Sequence, residues 1–224
     1  FPPAPRSGDI AYKAVDMKVG YGTKVVFDDA QIEEFKKAAL SRYKTTNEYC
    51  SRDFIVLLIM LNLGLRVGEC LALEWSDFDL EKHYVRINKT VQSNIMNFDN
   101  EGKNIVDIVK KSTKTSAGVR VLKLNENVEY YLKELKEYDA RHKIDSIYFC
   151  CTSAGTRNCA RNMQRSLDRL IKKITIKERV TLHTLRHSFG STLLRHNVPI
   201  EVVSKLMGHA NINITYAKYI HVIQ

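Results

Sequence analysis

From residue 28 onward the apolar positions recur at helical spacing, alternate between about 84 and 122, and then return to helical spacing. Asp28 and Gln31 have the spacing of a capping box and open a helix that puts Ile32, Phe35 and Ala39 on one face. Ser51-Arg52-Asp53 leads into Phe54-Ile55-Val56-Leu57-Leu58-Ile59-Met60-Leu61, apolar all round, as in a helix buried on every side. Gly64 ends it, and a short helix from about Val67 to Leu73 precedes a turn at Trp75–Asp79. Alternation in Tyr84–Ile87, Ile105–Val109 and Val119–Leu122 predicts a small antiparallel sheet, with turns at Asn100-Glu101-Gly102 and Ser116-Ala117-Gly118. Asn125 caps a helix carrying Val128, Leu132, Leu135 and Tyr138, and further helices are predicted over 158–174, 184–196, 199–207 and 211–218. Pro199 suits a first helical turn. The fold class is α+β, mainly α. Residues 1–26 hold three of the chain's four prolines with weak apolar patterning, so they read as linker, and 27–224 as one folded domain.

Composition narrows the partners. With 224 residues and 44% hydrophobic content the chain can bury a substantial core, while a formal net charge of +10 calls for a polyanion. Nucleic acid is the first candidate and an anionic membrane the second. No apolar run approaches the roughly 18 residues of a membrane span, and no signal segment opens the sequence. Cys50, Cys70, Cys150, Cys151 and Cys159 are odd in number and lack C-x-x-C spacing, which fits reduced thiols in a cytoplasmic protein and no zinc or disulfide frame. No metal or other cofactor is expected. Arg157, Arg161, Arg165 and Arg169 recur every four residues opposite Met163, Leu167, Leu170, Ile171 and Ile174. Only Asp168 interrupts the basic stripe, so this helix is expected to contact DNA, in the major groove before the backbone.

Cleaving a phosphodiester without metal takes a nucleophile, an acid for the departing oxygen and fixed positive charge around the non-bridging oxygens. Arg66 and Arg186 suit the last role, because a guanidinium stays charged and grips phosphate with two donors. Glu69, three residues beyond Arg66, can orient a neighbouring cation or histidine, although an ordinary surface pair is the plainer reading of the two alone. His183 shares a helical face with Arg186. His83 and Arg86 repeat that spacing in a predicted strand, where side chains three apart face opposite ways. His209 follows Gly208 at a helix end, where a capping or core role is the alternative. Chemistry alone does not separate Tyr219 from Tyr216 as nucleophile. Nor does it separate Lys114 from Lys110, Lys111 and Lys123 as the acid.

In order along the chain stand Gly64-Leu65-Arg66-Val67-Gly68-Glu69, Lys114-Thr115 ahead of Arg120-Val121-Leu122, His183-Thr184-Leu185-Arg186-His187, Met207-Gly208-His209 and Tyr219-Ile220-His221-Val222. Together they resemble the catalytic domain of a tyrosine recombinase of the phage and conjugative-transposon integrase kind, over about residues 27 to 223. The resemblance implies a mainly helical domain with a small antiparallel sheet, a Tyr219 nucleophile, a Lys114 acid and a His183 base. It further implies that the arginine-striped helix, with Lys110, Lys111 and Arg120, contacts double-stranded DNA. A 3′-phosphotyrosyl intermediate would form and be resolved by a partner strand's 5′ hydroxyl. Implied partners are further recombinase subunits in a dimeric or tetrameric synapse and DNA-bending accessory proteins, with no membrane, in a bacterial cytoplasm. Family members usually carry an N-terminal core-binding domain, to which residues 1–26 would be the exit linker, and a segment beyond the tyrosine that docks on a neighbouring subunit. Two other readings use related scaffolds: a type IB topoisomerase, and a DNA-binding regulator that does not cut.

Overall fold

A computed structural model describes residues 26–92, 108–110 and 119–223. Its centre is α2 (Arg52–Leu63), in which every residue from Phe54 to Leu61 is buried, as the run without a polar face requires. Around it pack α1 (Asp29–Ala39), α4 (Glu126–Arg141), α5 (Ala160–Ile171) and α6 (Leu182–Arg195). The expected caps form. Asp28 and Gln31 close a reciprocal box on α1, the Asn125 side chain accepts from Val128 N–H, and Gly64 ends α2 in the left-handed region.

Among the described residues the strands form two antiparallel sheets, where the alternation pointed to one. The three-stranded sheet runs β1 (Phe78–Asp79), β2 (Tyr84–Ile87) and β5 (Arg120–Lys123), with Val85 opposite Leu122 and Arg86 opposite Val121. A separate pair joins β3 (Thr90–Gln92) to β4 (Ile108–Lys110). α3 (Val67–Ala72) holds β3, and a Cβ at Gly68 would stand 2.6 Å from both Thr90 Oγ1 and Val91 O, so the helix and the strand touch backbone to backbone. The turns expected at 100–102 and 116–118, and the first residues of the 105–109 strand, lie outside the described residues.

α6, α7 (Ile200–Met207) and α8 (Ile212–Ile223) enclose a second apolar cluster of Val203, Met207 and Tyr219 against Phe189, Leu193, Leu194 and Val198. Two buried polar ties fix the assembly around α2. Arg52, at its first turn, gives Nε and Nη2 to the two Asp139 oxygens at 2.6 and 2.8 Å and a further bond to Phe149 O at 2.9 Å. Phe27 is fully buried, and its N–H donates to Ser188 Oγ at 2.9 Å while its carbonyl accepts from Arg195 at 3.0 Å.

Candidate active site

Gly64 brings two of the expected arginines together. Its left-handed φ of 60° turns the chain so that Arg66 becomes the N-cap of α3, and its carbonyl accepts Arg186 Nη1 at 2.7 Å. No other residue fits, since a Cβ there would meet the Phe189 ring at 2.3 Å.

Glu69 lies 1% exposed at the centre of three guanidiniums. It accepts Arg66 N–H at 2.9 Å and Arg66 Nη1 at 2.6 Å, takes Arg120 Nη1 and Nη2 on its two oxygens at 3.0 and 2.8 Å, and stands 3.9 Å from Arg186 Nη1. Burial alone would raise this carboxyl, yet the Arg120 hydrogen bonds and the charges of Arg120, Arg66 and Arg186 hold it at about 2. It is ionised throughout the working range. Arg186 is also lowered, to about 9, by its own burial and by Arg66 and Arg120, against the opposing pull of Glu69. It remains a cation at neutral pH.

The same three arginines meet a second acceptor set. The last turn of α7 and its cap present successive carbonyls: Leu206 O accepts Arg120 Nε at 2.8 Å, Met207 O accepts Arg186 Nη2, and Gly208 O accepts Arg66 Nη2 at 3.0 Å. These are acceptors that the helix ladder leaves unsatisfied, at the negative end of the helix dipole. Gly208 caps the helix with φ 62°, and the chain turns directly into His209. His209 is buried, shares a 2.8 Å hydrogen bond between Nδ1 and Thr215 Oγ1, and is pushed down to about 3 by burial and by Arg186, Lys218, Arg66 and Arg120. It is a neutral imidazole at neutral pH.

Tyr219, 1% exposed, points its hydroxyl at His187 Nδ1 at 3.1 Å and at Met207 Sδ at 3.6 Å. The hydroxyl lies over Gly190, where a Cβ would come within 2.7 Å of it. Burial pushes the phenol up to about 12, with Arg186 opposing. Tyr216, one turn earlier, is exposed.

Sequence reasoning missed His187. The expected base His183 is exposed and meets the His187 ring edge to face at 4.4 Å, while His187 is the one whose Nδ1 meets the Tyr219 hydroxyl. Tyr219 packs at the level of Gly190, nearer to His187 than to the turn before it. The available signal was the pair of histidines four apart on α6. Arg120 departs from its expected role as a DNA contact, because it is buried and bound to Glu69 and Leu206 O. Arg157 stands apart from the helical stripe. α5 starts at Ala160, so Arg157 sits ahead of the helix in a bridge with Cys151, its guanidinium 4.3 Å from the Tyr148 ring. Arg161, Arg165 and Arg169 do share an exposed face opposite buried Met163, Leu167 and Leu170. Lys111 and Lys114 lie outside the described residues, and Lys110 is described only as the end of β4. Among the described residues no three His, Cys, Asp or Glu side chains are grouped to hold a metal ion, and no helix is long and apolar enough to cross a membrane.

The domain is mainly helical with a small sheet, and it draws two arginines, a neutral histidine and a tyrosine toward one place. The phage integrase family model matches residues 26–224, and the chain belongs to that family. Among curated relatives it is 26% identical over 207 residues to a tyrosine recombinase XerC-like protein of Caldanaerobacter subterraneus subsp. tengcongensis, covering 88% of this chain and 50% of the relative. It is 25% identical over 161 residues to the integrase of Staphylococcus phage L54a, covering 72% of this chain and 45% of that protein. The chain thus spans about half the length of these relatives. The fold is shared with the Tn1549 transposon integrase solved with transposon right-end DNA, at a TM-score of 0.74 and 20% identity over 92% of this chain and 64% of that one. The XerA recombinase gives 0.64 and 22% over 92% and 65%.

Proposed function

We propose that this domain cleaves and rejoins DNA strands at a specific site through a 3′-phosphotyrosyl intermediate, integrating or excising a mobile element. The observation that carries the reading is the convergence of Arg66, Arg186 and His209 on the Glu69 and α7 framework with Tyr219 packed behind it. Arg66, whose side chain is 38% exposed, offers the outward edge of a phosphate clamp, with Arg186 behind it. Both are held by fixed acceptors, so neither has to reorganise as charge develops on the non-bridging oxygens. Neutral His209 adds a hydrogen-bond donor.

Tyr219 oxygen attacks phosphorus and the bond to the 5′ oxygen breaks. The phenol proton passes to His187 or, through it, toward His183, and Lys114 protonates the departing oxygen. Attack by a 5′ hydroxyl then reverses the exchange and conserves the phosphodiester energy. Tyr219 is buried in the Gly190 niche, so the niche must open toward the phosphate for attack while His187 stays within reach of the hydroxyl. Arg161, Arg165 and Arg169 on the open face of α5, with Lys110 and Lys111, supply the DNA surface. The partners of the whole protein are double-stranded DNA, further recombinase subunits in a synapse and DNA-bending accessory proteins at the bacterial nucleoid. Residues 1–26 serve as linker from a core-binding domain. The relatives' names favour recombination over topoisomerase or regulator roles.

The test is denaturing electrophoresis after incubation with nicked DNA carrying the element's end sequence. A covalent adduct is expected with and without EDTA, lost in Tyr219→Phe and kept in Tyr216→Phe, with Arg186→Ala reduced by about a hundredfold or more. An adduct that persists in Tyr219→Phe, or its absence from wild type in the full-length protein, overturns the assignment.

A further inference from the structure

Arg120 was expected on the DNA and is found in the core. Of the three guanidiniums around Glu69, it is the one that takes both carboxylate oxygens with its own fork, while its Nε holds Leu206 O. Three segments meet through this side chain: β5, α3 with Arg66 at its cap, and the last turn of α7. That turn in turn holds Arg186 and Arg66 by the carbonyls of Met207 and Gly208. Building on the function proposed above, we propose that Arg120 is a positioning residue for strand cleavage: by fixing Glu69 and the end of α7 in one place, it sets where Arg66 and Arg186 stand.

The geometry explains why another residue would serve poorly. Without the fork, Glu69 keeps Arg66 on one side and has Arg186 3.9 Å away on the other, so the carboxylate can turn toward Arg186 and draw it off Met207 O. A lysine would restore the charge but only as a single point, without the two-donor grip or the reach to Leu206 O. The groups facing Glu69 are Arg66 on its own helix, Arg120 from β5 and Arg186 from α6. Beyond them stand neutral His209 and, beside it, Lys218. Arg120 is the strongest of the influences that keep this buried carboxyl ionised. Its removal therefore lets Glu69 take up a proton at higher pH and makes cleavage depend on that proton.

Single-turnover cleavage of nicked DNA tests this with wild type, Arg120→Met, Arg120→Lys, Glu69→Gln and the Arg120→Met, Glu69→Gln double variant. Circular dichroism confirms folding, and anisotropy measures DNA binding. Arg120→Met is expected to cleave about tenfold to a hundredfold more slowly, as small displacements of reacting groups do, with DNA affinity unchanged. Its rate relative to wild type should fall further as pH is lowered, with Arg120→Lys intermediate, because loss of Arg120 raises the pH at which Glu69 takes up a proton. The double variant should be no slower than Glu69→Gln alone, because both changes break one unit. Should Arg120→Met fail to fold, the Arg120→Lys profile decides the matter by the same criterion. A folded variant with wild-type rate and pH profile, or losses that multiply in the double variant, overturns the proposal. Absence of adduct from wild type instead brings down the functional reading beneath it.

Discussion

Replacing Gly190 with alanine tests whether the niche in α6 is shaped to the Tyr219 hydroxyl. The new Cβ would stand 2.7 Å from Tyr219 Oη, 2.8 Å from Cζ and 2.8 Å from Met207 Sδ, so α7 or α8 must yield. Overpacking of this kind costs about 1–3 kcal/mol. Alanine returns about 1 kcal/mol of helix propensity at a mid-helix position. The net expectation is a loss of about 1 kcal/mol. The sharper prediction concerns coupling. In wild type, Tyr219→Phe gives up the hydrogen bond to His187 and should cost about 1 kcal/mol. In the Gly190→Ala background the same change removes the closest of the clashing atoms, so its cost should vanish or turn favourable. Urea denaturation of the four proteins, followed by far-UV circular dichroism, gives the cycle. A coupling of about 1 kcal/mol is expected, and additivity within about 0.5 kcal/mol would refute the claim that Gly190 houses the hydroxyl.

Glu69 should leave a mark on acid stability. Its folded value of about 2 lies below the ordinary 4.5, so the stability it contributes is present above about 4.5 and lost as pH falls through about 2. The gap amounts to about 3 kcal/mol at most, and Glu69→Gln should flatten that part of a pH titration of the melting temperature. Asp139→Asn strands the Arg52 guanidinium in the core and should cost about 3–5 kcal/mol in urea denaturation, with adduct formation retained under permissive conditions. Gly64→Ala combines left-handed strain with a 2.3 Å contact on Phe189, for about 3 kcal/mol in total. Phe189→Ala in that background should recover only the packing part.

Local chemistry was legible in the sequence wherever short-range rules decide the outcome. The Asp28 box, the Asn125 cap, the Gly64 stop and the run from Phe54 to Leu61 all depend on neighbours within one or two turns. The residues of the arginine cluster could be named, but their directions could not. On β5, Arg120 faces inward while Val121 stands 59% exposed, the reverse of what hydrophobicity suggests, and Leu122 is buried beside Arg120 on the inner face. A carboxylate 51 residues away sets that register. Arg157 lies off the helix because the four-residue period runs on ahead of the point where Cys159 caps it. His187 was overlooked because position along α6, and not residue spacing, decides which histidine meets a tyrosine 32 residues later.

The three carbonyls at 206–208 have a consequence for how this site can vary. They belong to the main chain, so no side-chain substitution at Leu206 deletes the acceptor that Arg120 uses, and none at Gly208 deletes the one for Arg66. An alanine scan through the segment would register little of this dependence. Replacing an amide by an ester, which weakens the carbonyl as an acceptor, would expose it. The clamp is thus anchored where ordinary mutation reaches only through changes of backbone path, so the side chain at Leu206 can change while the arginines keep their footing.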